Sequence, residues 1–261
     1  MFEGQSVAVT GANGGIGRAI AEMFIANGAK VAISDINSTE KTATEIGAVT
    51  GFTCDVGNEQ SVKAFITGAQ DDIGPIDIFV SNAGVGFGDG PHAAGASNQD
   101  WETSWQVNVM ASVYAARALL PSYIERGSGR FVITASAAGL LNQIGSASYS
   151  ATKHAAVSFA ETLAIEHMAD GVKSHCICPQ YVRTNMTKGM DFAESNQDGL
   201  LEPADVANAL KTAIEEEKFL VLSHPIVGDY VRHKTKNWDA WLSGMAKLKQ
   251  KLGGNVFPDK K

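Results

Sequence analysis

A chain of 261 residues with 44% hydrophobic and 19% charged side chains can bury a sizeable core, and α/β folds of this size commonly form one unit. A formal charge of −7 and a pI near 5.4 argue against a nucleic-acid partner, which requires a basic face, and give no reason to expect an anionic membrane surface. No apolar run approaches the ~18 residues of a spanning helix, and Met1-Phe2-Glu3-Gly4-Gln5 is no signal peptide, so the expected location is the cytoplasm.

Gln5 to Thr10 reads as a short strand that leads into Gly11-Ala12-Asn13-Gly14-Gly15-Ile16-Gly17, and Arg18 to Asn27 has helical spacing. Strand, glycine turn and helix in that order let a backbone approach a pyrophosphate, which rests on free N–H groups at the positive end of the helix. A plain βα loop is the alternative. The next strand, Ala29 to Asp35, ends on a carboxylate eighteen residues after Gly17, near the spacing expected of a group that binds adenosine ribose hydroxyls. Asp35 therefore predicts NAD: it would repel a 2′-phosphate, and neither Gly14 nor Ile36 supplies a neutralising cation. Its competing role is to cap the following helix.

A helix over Ser38 to Ile46, a third strand over Gly51 to Val56 with Asp55 at its end, a helix over Glu59 to Asp72 and a fourth strand over Ile76 to Ser81 follow, ending in Asn82-Ala83-Gly84. Asp55 and Val56 lie where an adenine could rest. This alternation predicts a parallel sheet covered on both faces, with ligands at the carboxyl ends of the strands. Gly84 to Gly95, rich in glycine and alanine, is expected to be a mobile loop beside the site. Trp101 to Glu125 reads as one long helical segment, straight or bent, in which Asn108 is either a satisfied core amide or a group that perturbs the helix to hold water near Lys153.

Arg130 to Ala135 looks like a buried strand, and Ser136 follows it. Ala147 to Met168 has few helix breakers, so Tyr149 and Lys153, four apart, share one helix face. An ammonium beside a phenol of ordinary pKa near ~10 favours the phenolate, which makes Tyr149 a proton carrier for an alcohol or ketone; the Ser136 hydroxyl could reach the same oxygen. Standing alone, the spacing is weak, and a surface or interface pair is the favoured reading of it. His154 points away from Lys153's face and reads as structural. Gly171 to Pro179 is a sixth strand, Asn185 to Leu201 a substrate lid, Pro203 the start of another helix, Phe219 to Leu222 a last strand and Ile226 onward a helical tail through about residue 261 that packs on the body or on another subunit. Cys54, Cys176 and Cys178 have no metal-ligand spacing and no metal is expected. One domain is expected over residues 1–261.

Thr10-Gly11-x-x-x-Gly15-x-Gly17, Asn82-Ala83-Gly84, Asn108, Ser136 and Tyr149-x-x-x-Lys153 together resemble the short-chain dehydrogenase/reductase family over about Ser6 to Leu222. The resemblance implies a Rossmann doubly wound α/β sheet of about seven strands, here with a C-terminal helical extension. It implies Tyr149 as acid/base, Lys153 on the nicotinamide ribose, Ser136 on the substrate oxygen and Asn108 in a water-linked relay. It also implies a homodimer or homotetramer. The candidate cofactor residues are Gly11, Asn13, Gly15, Ile16, Gly17, Asp35, Ile36, Asp55, Val56, Asn82, Ala83, Gly84, Tyr149, Lys153, Pro179, Val182 and Thr184. Those for substrate are Ser136, Ala138, Ile144, Tyr149, Gln180 and Met186. Gln180 departs from the Pro-Gly usual after that strand, which bears on substrate choice. Phe87, Leu140, Leu141, Ile144, Tyr181, Met186, Met190 and Phe192 suggest an apolar pocket wall, hence a hydrophobic secondary alcohol or ketone. The rival reading is a non-catalytic dinucleotide-binding sensor or scaffold. An enoyl reductase would call for a wider tyrosine-to-lysine spacing.

Overall fold

The computed structural model describes residues 2–188 and 199–252. Seven strands form one parallel sheet in the order β3-β2-β1-β4-β5-β6-β7. These are β1 (Ser6–Thr10), β2 (Lys30–Asp35), β3 (Thr50–Thr53), β4 (Ile78–Ser81), β5 (Gly129–Thr134), β6 (Val172–Ile177) and β7 (Leu220–Val221). Side chains alternate along each strand, and both faces are apolar. Val7 and Val9 join one core cluster while Ala8 between them joins the other; Val132 separates Phe131 and Ile133 in the same way. That near-continuous apolar pattern is what a sheet sandwiched between two helical layers requires.

One layer holds α1 (Gly15–Ala26), α2 (Glu40–Ile46) and α8 (Pro203–Glu215). The other holds α3 (Glu59–Ile73), α5 (Ala111–Glu125) and α7 (Ala147–His167). Ile20 and Phe24, four apart on α1, are fully buried against the sheet, each contributing roughly 2 kcal/mol by removal from water. Local signals set the helix ends. Asn58 caps α3 by accepting from Ser61 N–H at 3.0 Å, and α8 starts at Pro203 with Glu202 and Asp205 reciprocally bonded.

Strand order reverses at β1, which pairs with β2 on one side and with β4 on the other, so the loops after β1 and β4 diverge and leave a crevice at the carboxyl ends of these strands. The long helical segment is continuous but irregular in the middle. It is α4 (Asn98–Trp105), a π-helical turn over Gln106–Met110 that contains Asn108, and then α5. The third strand stops at Thr53, short of the expected Val56, so Asp55 and Val56 sit in the turn beyond it. The short helix α6 (Ala138–Leu141) was not anticipated. The tail is two helices, α9 (Ile226–Lys236) and α10 (Trp238–Lys251), broken at Asn237, whose side chain caps the second by accepting from Ala240 N–H at 3.0 Å. Among the described residues no helix is long and apolar enough to cross a membrane.

Candidate active site

A cleft of about 620 Å³ opens over the carboxyl ends of the strands. One wall of it is the glycine turn. Gly11 has φ +65°, and a Cβ there would lie 2.8 Å from Ala83 Cα; at Gly17 it would lie 2.3 Å from the Gly11 carbonyl oxygen and 2.4 Å from Asn82 Nδ2. Only glycine lets these three segments close on one another. Asn82 locks the turn, donating from Nδ2 to the Thr10 and Gly11 carbonyls at 3.1 and 3.2 Å. No described side chain caps α1 and its first turn holds no acid, so the amides and positive end of that helix are available to a phosphate.

Asp35 closes the far end of this wall. Its Oδ2 accepts from Asn13 N–H at 3.1 Å, and Asn13 in turn accepts from the Thr42 hydroxyl at 2.8 Å. The carboxylate is held by the turn rather than by α2, whose cap residue Thr39 makes no side-chain cap bond, so the helix-capping alternative falls. Ile36 is 60% exposed beside it, a flat apolar surface suited to an adenine, and Asp55 and Val56 line the same end.

At the other end, β5 delivers Ser136 and α7 delivers Tyr149 and Lys153. The Ser136 hydroxyl hydrogen-bonds the Tyr149 phenol and accepts from Ala138 N–H at 3.1 Å. Lys153 Nζ donates to the Thr134 carbonyl at 2.9 Å and stands 5.6 Å from the centre of the Tyr149 ring. Both groups are shaped first by burial. It pushes the phenol above its ordinary range, against the Ser136 hydrogen bond, and Cys178 adds to the rise. The same burial pushes the Lys153 amine down to about 8. The expected lowering of the phenol by the ammonium is therefore not what the protein alone gives: burial sets the direction of the shift, and the amine's hydrogen bond goes to Thr134.

Asn108 is a satisfied core amide, and the helix around it is perturbed. It sits in the π turn and is buried. Its Oδ1 accepts from Val85 N–H at 2.9 Å, and Nδ2 donates to Val85 O at 2.9 Å and to Thr152 Oγ1 at 3.0 Å. Its side-chain amide is thus taken up in stapling the segment after β4 to α7, and it does not line the cleft.

Most of the remaining candidates do line it: Gly11, Asn13, Gly15, Ile16, Asn82, Ala83, Gly84, Pro179, Gln180, Val182, Thr184 and Met186. Gly17 lies behind the turn, while Ala138 and Ile144 stand outside the cleft wall, Ala138 being buried in α6. Leu140 and Leu141, read as pocket wall, instead pack with Val227 and Tyr230 of α9. The lid over Asn185 to Leu201, with Met190 and Phe192, falls largely outside the described residues; of it, Asn185–Thr187 is a short 3-10 turn and Leu201 pairs with Val182. The loop after Gly84 is not free. Asp89 in it is buried and bonded to the start of α7. Val85, Thr103 and Val107 line the cleft unanticipated, their contribution depending on the π turn that no sequence periodicity announces. Among the described residues no cluster of histidine, cysteine and carboxylate could hold a metal.

The family description "short chain dehydrogenase" matches residues 5–194. The chain belongs to the short-chain dehydrogenases. Among relatives of this family, the oxidoreductase UcpA of Salmonella typhimurium is 31% identical over 98% of this chain and 96% of its own length. The meso-2,3-butanediol dehydrogenase of Serratia marcescens is 33% identical over 72% of this chain and 75% of its own. In structure, a short-chain dehydrogenase/reductase from Burkholderia phymatum in complex with NAD superimposes with a TM-score of 0.79 at 28% identity, over 100% of this chain and 99% of that one. A 3-ketoacyl-(acyl-carrier-protein) reductase from Brucella melitensis complexed with NADH gives 0.79 at 29% identity over 85% and 96%. An oxidoreductase of the short-chain type is thereby established, and the non-catalytic sensor or scaffold finds no support.

Proposed function

We propose that this short-chain dehydrogenase interconverts a hydrophobic secondary alcohol and its ketone with NAD. The observation that carries the reading is the convergence of Ser136, Tyr149 and Lys153 at one end of a cleft whose other end is the glycine turn and Asp35. The residues present fit a dinucleotide: a glycine cradle that a Cβ would fill, a helix N-terminus without a side-chain cap, and a carboxylate lining the same cleft at the end of the second strand. NAD bound there supplies the hydride acceptor, and the protein supplies the rest.

Ser136 holds the substrate oxygen through its hydroxyl, and Tyr149, hydrogen-bonded to that hydroxyl, takes the alcohol proton or returns it to the ketone. Lys153, protonated below about pH 8, opposes the loss of charge stabilisation that burial imposes on the phenolate. Asp35 favours ribose hydroxyls over a 2′-phosphate by charge. Gln180 and Met186 line the cleft and border the substrate end in this reading, and the butanediol dehydrogenase relative is named for oxidation of an alcohol. A homodimer or homotetramer in the cytoplasm, built from one domain per chain, accompanies the reading. Ile124 on α5 and Ile165 on α7, 41% and 77% exposed, supply apolar surface for such an assembly.

The test is a panel of aliphatic, alicyclic and aromatic secondary alcohols with NAD or NADP at mildly alkaline pH, followed by NADH absorbance. Turnover of apolar members with NAD supports the reading. Absence of turnover across the panel, or a preference for NADP, overturns its substrate or cofactor half respectively.

A further inference from the structure

We infer that Asp89 is a positioning residue for Tyr149: it caps the catalytic helix from a different part of the chain. The inference rests on the functional reading above but adds a residue which that reading does not use.

Helix α7 begins at Ala147, and Tyr149 is its third residue. Its own sequence provides poor support for that end. The residue before it, Ser146, makes no side-chain cap bond, and no acid lies in the first turn, although a helix start favours both an acceptor and a negative charge. The carboxylate comes instead from Asp89, 58 positions earlier. Both its oxygens accept from Ala147 N–H, at 2.8 and 2.9 Å.

Two further bonds hold the same segments together. Asp89 N–H donates to the Gly145 carbonyl at 2.9 Å, and the Ser146 hydroxyl donates to the Phe87 carbonyl at 2.6 Å. Asp89 is only 4% exposed. A carboxylate that deep in protein is costly unless its hydrogen bonds compensate, and here they converge on one backbone amide two residues from the phenol. The loop is shaped around it: a Cβ on Gly95 would lie 2.1 Å from the Asp89 carbonyl oxygen, so a glycine is needed for the chain to fold back there.

The consequence is mechanical. Tyr149 must meet the Ser136 hydroxyl, which is carried by β5, and its distance from that hydroxyl depends on where the first turn of α7 is seated. Other ties hold the deeper part of the helix, through Lys153 to Thr134 and Thr152 to Asn108. At the first turn the tie reaching across from the β4–α4 loop is Asp89 with its two companion bonds. Loss of it lets the turn fray, and a phenol misplaced by an ångström loses proton transfer far more than it loses cofactor binding.

The experiment compares Asp89→Ala, Asp89→Asn and a control, Asn58→Ala, which removes the cap of α3. Hydrogen exchange over residues 145–150, the Kd for NADH, and kcat with KM on a turned-over alcohol are measured on each full-length protein. Expected for Asp89→Ala are exchange roughly fivefold faster or more at that segment and kcat lower by about 10- to 100-fold, with NADH affinity within about twofold of wild type. Asp89→Asn, which keeps an acceptor oxygen, recovers most of kcat and also reports if the alanine variant does not fold. Asn58→Ala loses thermal stability and keeps kcat. Unchanged exchange in Asp89→Ala, or a kcat that follows Asn58→Ala, overturns the inference. If wild type turns over no alcohol or ketone, the functional reading fails instead, and the exchange comparison still decides whether Asp89 seats the helix.

Discussion

Lys153 Nζ lies 5.6 Å from the centre of the Tyr149 ring while its hydrogen bond goes to the Thr134 carbonyl at 2.9 Å. The amine is thus anchored to the end of β5, the strand that leads into Ser136, and α7 is fixed to the sheet at the level of the chemistry. Burial depresses its pKa from the usual 10.5 to about 8.

A stability cost follows. In the unfolded chain the amine binds its proton up to its ordinary pKa, whereas in the fold it releases it near 8, so the unfolded state holds more protons between those values and stability rises with pH across that window. Below about pH 8 the full penalty is present. Lys153→Met is expected to be more stable than wild type at pH 7 by roughly 1–3 kcal/mol after allowing for the lost hydrogen bond, with the advantage shrinking toward pH 10.5. Thermal melts of both proteins from pH 7 to 10 measure it, and turnover should be lost in the same variant.

His175 works in the opposite part of the scale. Burial, then the neighbouring Arg130 guanidinium, pushes its pKa from 6.5 down to about 4, while Nδ1 stays bonded to the Lys218 carbonyl. Protons are taken up on unfolding as pH falls below 6.5, so the stabilising contribution of the neutral ring is complete above 6.5 and is lost on the way to 4. Melting temperature in His175→Gln should fall less steeply over that interval than in wild type.

Asp35 is the predicted source of cofactor preference. Replacing it with Ser and Ile36 with Arg removes the repulsion and supplies a cation for a 2′-phosphate. Each charged hydrogen bond is worth about 1.5–3 kcal/mol, so the ratio of kcat/KM for NAD over NADP should fall by roughly 10- to 100-fold. An unchanged ratio would place the adenosine elsewhere.

Gly17→Ala tests the glycine turn without touching the substrate end. The new methyl meets the Gly11 carbonyl and Asn82 Nδ2 at 2.3 and 2.4 Å, and backbone must shift. Overpacking of this kind costs roughly 1–3 kcal/mol, and NADH binding, followed by fluorescence titration, should weaken at least tenfold.

How far the sequence reached depends on the range of the interactions involved. The glycine turn, Asp35 and the Tyr149–Lys153 face are local patterns, spacings along one strand or helix, and each stands where its pattern puts it. Asp89, Val85 and Thr152 take their meaning from partners 58, 23 and 44 positions away, which no spacing reveals. One signal was available: α7 begins without an acid in its first turn, and the nearest carboxylate in the preceding glycine-rich loop is Asp89. The phenol's upward shift was hidden for a similar reason, since a helix wheel shows the ammonium beside Tyr149 but not the dry floor beneath both.

The most direct measurement is the kinetics of Tyr149→Phe on an alcohol that wild type oxidises, together with NADH titration of the same protein. The phenyl ring keeps the packing and removes the hydroxyl bonded to Ser136, so turnover should fall by about 10²–10⁴-fold, the usual worth of a positioned acid or base, while NADH affinity stays within about twofold. Turnover retained at the wild-type rate would contradict the account, because the proton would then be passing through some other group.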